Sequence, residues 1–431
     1  MDFQEIIAAK RDGREHSLSD LEILCKGAAD GSIPDYQLAA WLMAAYLHPL
    51  NATETADLTR AMAESGERLD LTGLPKPWVD KHSTGGVGDK TSLVLLPLLA
   101  ACGLTVVKMS GRGLGITGGT VDKLSSVPGF RTDLSPEEMK AQAAKIGLAL
   151  TGQTPNLAPA DKTLYALRDV TATVGSMPLI VSSILSKKVA GGAETIVLDV
   201  KCGSGAFMKV REEATKLADG LRSTGKALGL NVRLAMTDMD QPLGSAVGNA
   251  LEVQEALDVL QGKPLNSCAE RFRELCLSLA ALTLEASGLC GTHELARAKA
   301  EDALASGKAE SKRAEWFEAQ GATSLDLPKA PQRLVVKAEG SGFVHRVDAE
   351  IVGHTVIDLG GGRKQKTDTI DLSVGIEILC LVGDQVEQGQ NVATVHAHEE
   401  ASAQQAAERL LQAVVVKPEP AAPNDLILDL R

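Results

Sequence analysis

The chain has 431 residues, too many for one ordinary hydrophobic core, so we expect two or three domains. Its hydrophobic content of 44% and charged content of 23% are typical of a soluble globular protein, and no apolar run is long enough for a membrane helix. A formal net charge of −12 and an aromatic content of 3% argue against a general nucleic-acid binder. A local group of cations could still bind a small anion.

The first 66 residues are predicted to be helical throughout. In the segment DYQLAAWLMAAYL, which follows Pro34, apolar residues recur at helical spacing: Leu38, Trp41, Leu42, Ala45 and Tyr46. The opening residues MDFQEIIAAKRDG include acidic side chains and no long apolar run, so we expect no secretory signal. The seven cysteines lack metal-binding spacing and are odd in number, which indicates reduced thiols in a cytoplasmic protein.

From about residue 79 the pattern changes to alternating strands and helices. Short runs rich in β-branched residues predict buried strands at 104–110, 195–200 and 232–239. The spacing of SPEE predicts a capping box and a helix to about residue 146. Residues 160–190 are predicted to be helical, with Asp161 as the cap. A linker near 320–333 precedes a region of short β segments and glycine turns that ends in a helix over 399–413.

Two glycine-rich stretches suggest an anion site but fit neither common phosphate-loop motif. In KHSTGGVGDKTS (81–92), Asp89 separates Gly88 from Lys90, so a Walker loop is excluded. In SGRGLGITGGTVDKL (110–124), the spacing of Gly113, Gly115 and Gly118 is formally that of a dinucleotide fingerprint. The strand that should follow is replaced by VPGFRTDL, which argues against a Rossmann fold.

The two stretches share residue types that suit a phosphate. Glycines let backbone amides approach an anion, and hydroxyl groups can donate to its oxygens. One cation and up to four hydroxyl donors would be available from Lys81, Ser83, Ser92, Ser110 and Thr120. From the residues alone, a phosphate site and a pair of ordinary turns remain equally open.

Five segments, in this order and spacing, resemble the thymidine and pyrimidine-nucleoside phosphorylase family: KHSTGGVGDK, SGRGLGITGGTVDKL, LYALRDVTATV, SSILSKK and LDVKCGSGAFMK. The resemblance covers essentially the whole chain and implies a small helical domain facing a large α/β domain across a substrate cleft. We therefore expect a helical domain from 1–66 with 160–190, an α/β domain from 67–159 and 191–330, and an α+β region at 334–431. The resemblance also implies a homodimer.

The resemblance assigns residues to both substrates. Phosphate binding is implied for Lys81, Ser83, Ser92, Ser110 and Thr120. Binding of the pyrimidine ring is implied for Arg168, Ser183 and Lys187, with His82 near a base carbonyl. In phosphorolysis the base leaves as an anion, so the charges of Arg168 and Lys187 and a hydrogen bond from His82 would stabilise it. Inorganic phosphate needs only to be held in line for attack, and no organic cofactor is required.

One branch of the family also holds a potassium-like ion. The resemblance places its ligands at Gly88, Leu243, Ala246 and Glu255. The position of a further threonine ligand is Lys90 in this chain, as in other members of the family. The resemblance therefore implies a potassium site whose ligand set is altered by a lysine.

Two positions depart from the family pattern. Ile116 replaces a histidine, and Ser125 replaces a glutamate. In the family the histidine is associated with a hydrogen bond to the glycine that corresponds to Gly205, a bond that helps latch the closed cleft. We expect lower turnover rather than lost chemistry.

Three alternatives remain open at this stage. A thymidine-specific phosphorylase would share the same residues. An enzyme similar to anthranilate phosphoribosyltransferase would share the architecture but would require magnesium, and the three ring-binding residues argue against it. An inactive nucleoside-binding homologue is the third.

Overall fold

The computed structural model describes residues 2–113, 115–154, 156–365 and 367–431. Contacts divide the chain into two compact units, and each has its own hydrophobic core. The first unit comprises residues 1–74, 153–196 and 215–232, and the second comprises 75–152, 197–214 and 233–431. Residues 334–431 belong to the second unit. Every helix in the described residues is too short or too polar to span a bilayer.

The first unit is helical, as predicted. Its helices are α1 Phe3–Arg11, α2 Leu18–Asp30, α3 Asp35–Leu47, α4 Ala52–Glu64, α8 Pro159–Val170, α9 Met177–Ala190 and most of α10 Arg211–Ala227. Capping boxes start two of them, with Ser17 and Asp20 before α2 and Asn51 and Glu54 before α4. The core includes the apolar face of α3, with Leu38, Trp41 and Leu42 fully buried.

Residues 160–190 form two helices rather than one, which corrects the sequence-based expectation. The chain leaves α8 through Thr171 and a left-handed Ala172, and α9 starts with Pro178 in its first turn. Proline is favoured there because its missing N–H has no helical partner. The expected cap was also wrong: Ala158 occupies the N-cap of α8, and Asp161 is a buried residue inside the helix.

The second unit is organised around a six-stranded sheet of order β13-β5-β4-β1-β2-β3. Its strands are β1 Trp78–Ser83, β2 Thr105–Met109, β3 Leu148–Thr151, β4 Thr195–Cys202, β5 Asn231–Asp238 and β13 Ile427–Leu430. β1, β2 and β3 pair in parallel, and β13 pairs antiparallel with β5. All three predicted strands are confirmed. Every residue of β4 is buried, as expected for a sheet covered on both faces.

Helices cover this sheet and build most of the larger core. They are α5 Thr91–Ala101, α6 Thr120–Leu124, α7 Pro136–Ile146, α11 Asn249–Leu260, α12 Ser267–Ala286, α13 His293–Ala305 and α14 Lys308–Ala319. The prediction for α7 is confirmed, since Ser135 and Glu138 form its capping box. α5 is buried almost throughout, and its first turn carries Ser92.

The C-terminal region builds two smaller sheets, of orders β10-β8-β12 and β6-β9-β11-β7, and only β6 comes from an earlier part of the chain. Their strands are β6 Ala246–Val247, β7 Gln332–Lys337, β8 Gly342–Val347, β9 Gly375–Ile378, β10 Gln385–Val386, β11 Asn391–Ala397 and β12 Val414–Lys417. The predicted last helix is confirmed as α16 Glu400–Ala413. The region does not end there as expected, because β12 and β13 follow, and it contains a further helix that was not predicted, α15 Ala349–Asp358.

Candidate functional site

The first glycine-rich stretch joins β1 to α5 and is closed by hydrogen bonds around Asp89. The Lys81 ammonium donates to Thr91 Oγ1, and Ser83 Oγ donates to Asp89 Oδ2. Thr91 Oγ1 in turn donates to Asp89 Oδ1 at 2.7 Å. Asp89 therefore links two of the predicted phosphate ligands, Ser83 through a direct hydrogen bond and Lys81 through Thr91.

Around this loop lies a set of charges, all buried except the part-buried Asp89, that we call the Lys81 cluster. It consists of four lysines and four carboxylates: Lys81, Lys90, Lys123, Lys201, Asp89, Asp199, Glu252 and Glu255. Its ion pairs are Lys201 with Asp199 at 2.7 Å, Lys123 with Glu252 at 2.8 Å, Lys90 with Glu255 at 2.6 Å and, more loosely, Lys81 with Asp199 at 4.0 Å. The formal charges within the cluster balance.

Two groups in the Lys81 cluster have shifted pKa values. Burial alone would raise the pKa of Asp89, but the charges of Lys81, Lys201 and Lys123 outweigh it and hold the pKa well below its ordinary value. Burial likewise acts to lower the pKa of Lys201, and the neighbouring Asp199 and Asp89 reverse that effect, so the pKa is raised. Both groups therefore stay charged at neutral pH.

The second glycine-rich stretch lies between β2 and α6, also in the second unit. The Ser110 N–H donates to the Thr151 carbonyl at 2.9 Å, and Thr120 is the first residue of α6. A Cβ on Gly119 would lie 2.2 Å from Gly113 N, so the loop closes only with glycine. α6 has five residues, which does not fit the long helix of a dinucleotide-binding unit. All five predicted phosphate ligands thus belong to the second unit.

The predicted ring-binding residues lie together in the first unit, on α8 and α9. We call Asp161, Arg168, Ser183 and Lys187 the Lys187 cluster. The Lys187 ammonium pairs with Asp161 Oδ2 and donates to Ser183 Oγ at 3.1 Å. Ser183 and Lys187 are one helical turn apart on α9, so they share a face of that helix. His82 lies on β1 and belongs to the second unit.

Arg168 is buried and is held by backbone carbonyls rather than by a carboxylate at hydrogen-bond distance. Its guanidinium donates to the carbonyl oxygens of Thr173, Val174 and Leu179, the Leu179 bond being 3.0 Å long. Burial lowers the pKa of Arg168, against the opposing effect of Asp161, but arginine remains protonated in proteins. A surface pair with Asp169, the ordinary alternative for adjacent residues, does not describe this buried side chain.

The groups expected to bind potassium are occupied differently. The carbonyl oxygens of Leu243 and Ala246 and the carboxylate of Glu255 all contact the Lys90 ammonium. Gly88 lies beside the same carbonyls, since a Cβ there would be 2.6 Å from Leu243 O. The arrangement does not fit a potassium ion at these groups, because an ammonium already lies against them.

Comparisons with known proteins match most of this chain. Residues 4–66 match the helical bundle domain of the glycosyl transferase family, 75–310 its a/b domain, and 343–417 the pyrimidine nucleoside phosphorylase C-terminal domain. The chain is 46% identical over 406 residues to the pyrimidine-nucleoside phosphorylase of Bacillus subtilis strain 168, and the match covers 93% of each chain. The chain belongs to the pyrimidine-nucleoside phosphorylase family.

Other relatives agree with this assignment. The pyrimidine-nucleoside phosphorylase of Geobacillus stearothermophilus is 45% identical over 406 residues, again 93% of each chain. A crystal structure of anthranilate phosphoribosyltransferase from Thermus thermophilus aligns with a TM-score of 0.59 at 18% identity, covering 74% of this chain and 99% of that one. At that identity the likeness shows the fold alone, and it confirms the shared architecture predicted from sequence.

Three residues of the two clusters were missed or misassigned from sequence. Asp89 was treated only as the residue that breaks a Walker loop, Asp161 as a helix cap, and Lys90 only as a replaced ligand. For Asp161 a signal was present: Arg168 lies seven residues later, and residues seven apart share a helix face. The partners of Asp89 and Lys90 come from segments distant in the sequence, so no local pattern predicts them.

The departure at Ile116 is explained by packing. Ile116 is partly buried against the larger core, and a Cβ on Gly353 of α15 would lie 2.9 Å from the Ile116 Cβ. The Gly205 N–H donates to the Met239 carbonyl at 2.9 Å. Ser125, the other departure, donates to the Val121 carbonyl at 2.8 Å within its own turn.

Proposed function

We propose that the chain catalyses the reversible phosphorolysis of pyrimidine nucleosides to the free base and a pentose 1-phosphate. The relatives that carry the name pyrimidine-nucleoside phosphorylase share nearly half of their residues with it over 93% of its length. The observation that carries the proposal is the Lys187 cluster, in which the buried Arg168 and the part-buried Lys187 accompany one paired carboxylate. The excess positive charge suits a base that leaves as an anion.

The chemistry divides between the residues proposed to bind the ring and those proposed to bind phosphate. A phosphate oxygen forms a bond to the sugar C1′ as the bond from C1′ to the ring nitrogen breaks, and the electron pair of that bond passes to the ring. Arg168 and Lys187 stabilise the negative charge on the ring carbonyls, and His82 hydrogen-bonds a carbonyl oxygen. Lys81 and the hydroxyls of Ser83, Ser92, Ser110 and Thr120 hold the phosphate, which needs no base because it is already an anion.

For substrates, we propose thymidine, deoxyuridine and uridine. A thymidine-specific enzyme is the second candidate, since the residues proposed to bind the pyrimidine ring would contact groups that these nucleosides share. The reaction needs no organic cofactor in this proposal, because binding, orientation and charge are all supplied by side chains.

We further propose that the chain works as a homodimer in the cytoplasm. Four large apolar side chains of α3 are exposed: Tyr36, Met43, Tyr46 and Leu47. Tyr36 and Leu47 are the most exposed of them, with 74% and 67% of their surface accessible. Contiguous apolar surface of this kind favours association, and a second copy would present the same face in a two-fold interface. All seven cysteines are free thiols, which suits a reducing compartment.

The dimer proposal has a simple test. Light scattering after gel filtration should give twice the chain mass for the wild type and the chain mass for Leu47→Asp. Val335→Asp, which adds the same charge at an exposed apolar residue of the second unit, should remain dimeric. A monomeric wild type would contradict the proposal.

The activity is tested by the release of free base from thymidine and from uridine, each with and without inorganic phosphate. Phosphate-dependent cleavage of both supports the broad enzyme, and cleavage of thymidine alone supports the narrow one. Binding of nucleoside without cleavage would favour the inactive homologue, and a requirement for magnesium would favour the phosphoribosyltransferase alternative.

A further inference from the structure

The side chain of Lys90 ends in a closed set of oxygen atoms. Lys90 precedes α5, and its residue is 1% exposed. Its ammonium donates to the Leu243 carbonyl at 2.7 Å and the Ala246 carbonyl at 2.8 Å, and it pairs with Glu255 Oε2 at 2.6 Å. An ammonium has three hydrogens and no acceptor, so these three oxygens satisfy it completely.

The surroundings hold this set in place. The Glu255 carboxylate also accepts from the Ser245 N–H at 2.7 Å and from the Ala246 N–H at 2.9 Å. The Phe272 ring centroid lies 5.1 Å from the ammonium, within the range of a cation–π contact. Each oxygen that faces Lys90 is thus fixed by its own backbone or by further hydrogen bonds.

No space is left for a metal ion beside the ammonium. Gly244, with a φ of +77°, passes so close that a Cβ there would lie 2.7 Å from Lys90 Nζ. A potassium ion at the same oxygens would also meet a like charge in a site shielded from water, where repulsion between charges is strong. The ammonium and the ion are therefore mutually exclusive at these three oxygens.

We infer that Lys90 is a built-in monovalent cation that makes this chain independent of potassium. The ammonium carries the single positive charge of the ion and binds three of the groups expected to bind it. Since Lys90 immediately follows Asp89 and precedes Thr91 and Ser92, it joins the phosphate loop to residues 243–246 and to α11. A tethered cation cannot be lost by dilution, so the loop stays in place at any salt composition.

The inference predicts how the wild type responds to cations. Its thermal midpoint Tm should be the same in potassium chloride as in choline chloride of equal ionic strength, because the ammonium already binds the three oxygens that a small cation would need. This arm needs no catalysis, so it stands whether or not the proposed activity is confirmed. A wild-type Tm that rises with potassium and not with choline would overturn the inference.

Lys90→Ala exposes the site to external cations. We expect its Tm in choline chloride to fall by on the order of 5 °C or more, since Glu255 is left buried without a partner. Potassium or methylammonium chloride should restore part of that loss, and the KM for phosphate should follow if the proposed function holds. A folded variant whose Tm does not respond to either cation would contradict the inference.

Two further variants keep the test decisive. Lys90→Met retains the stem but not the charge, so it should be destabilised without rescue by potassium, because its side chain fills the space. Lys90→Ala combined with Glu255→Gln removes the anionic partner, and its Tm should also be insensitive to potassium. Rescue of either variant to the same extent as Lys90→Ala would show that the cations act elsewhere.

Discussion

The Lys81 cluster and the Lys187 cluster hold their cations in different ways. The Lys81 cluster contains four lysines and four carboxylates. In its three closest ion pairs the lysine nitrogen lies within 2.8 Å of a carboxylate oxygen. In the Lys187 cluster Lys187 has the carboxylate of Asp161, whereas the Arg168 guanidinium donates to backbone carbonyls. The first cluster is balanced, and the second keeps one positive charge in excess.

This difference corresponds to what each cluster is proposed to bind. A phosphate ion arrives as an anion and stays one, so hydroxyls and amides at a neutral cluster can hold it without trapping it. A pyrimidine ring is neutral when it binds and gains its negative charge only as the bond breaks. Excess positive charge at the ring therefore stabilises the transition state more than the bound substrate, which is the condition for a faster reaction.

The largest expected effect comes from removing the excess charge. Lys187→Gln should lower kcat for thymidine phosphorolysis on the order of 10²- to 10³-fold, because a charge that acts on the leaving base is lost. Lys162→Gln, an exposed lysine of α8, is the control and should match the wild type. Steady-state base release measures both, and an unchanged kcat for Lys187→Gln would remove the functional distinction between the clusters.

A smaller effect is expected when Lys187 keeps its charge but loses its ion pair with Asp161. Asp161→Asn should lower kcat/KM on the order of tenfold, since the ammonium is no longer fixed beside Ser183. In a double-mutant cycle with Lys187→Gln the two losses should not add, because both act through the same group. Asp169→Asn, an exposed neighbour on α8, should have little effect. Additive losses would mean that Asp161 acts independently of Lys187.

The balance of the Lys81 cluster predicts a dependence of stability on pH. The pKa of Asp89 is lower in the folded chain than in the unfolded one, so its carboxylate stabilises the fold above the unfolded pKa of about 4 and loses that effect as the pH falls through the folded pKa. Asp89→Asn should therefore be destabilised by about 3 kcal/mol at neutral pH, because buried lysines lose a partner.

Urea unfolding across the pH range measures this effect. The free energy of unfolding of the wild type should exceed that of Asp89→Asn by the largest amount at pH 7, and this difference should shrink as the pH falls below about 4. Asp133→Asn, an exposed carboxylate, is the control, and its unfolding should follow the wild type. A difference that stays constant with pH would show that the loss comes from packing and not from charge.

The two clusters also differ in how far the sequence could predict them. Local patterns predicted the helical first unit, the strands β2, β4 and β5, and the capping box of α7, since each depends on residues close in the chain. The break between α8 and α9 was missed because a proline in a first turn can continue or start a helix. The sheet order, with β4 beside β1, depends on tertiary contacts.

The candidate residues themselves came from motifs, but their partners did not. The resemblance supplied Lys187 and Ser183, and nothing in SSILSKK indicated that Asp161, 26 residues away, would pair with the lysine. Likewise Lys90 meets Leu243 and Ala246 across 153 and 156 residues. Buried charges need partners, but which distant segment provides one is settled by the fold.

The smallest expected effect concerns Ile116, which lies near the Lys81 cluster. Ile116 lines a cavity of about 30 Å³ together with Gly118, Glu252 and Arg363, and a histidine side chain is similar in volume to the isoleucine that it would replace. Ile116→His should raise kcat by less than about tenfold, because one hydrogen bond contributes about 0.5–1.5 kcal/mol. It should also lower stability, since the apolar contact with Gly353 is lost. Ile116→Val, which keeps that contact, is the control and should leave kcat unchanged. An unchanged kcat in Ile116→His would mean that the absence of the family's histidine does not limit turnover in this chain.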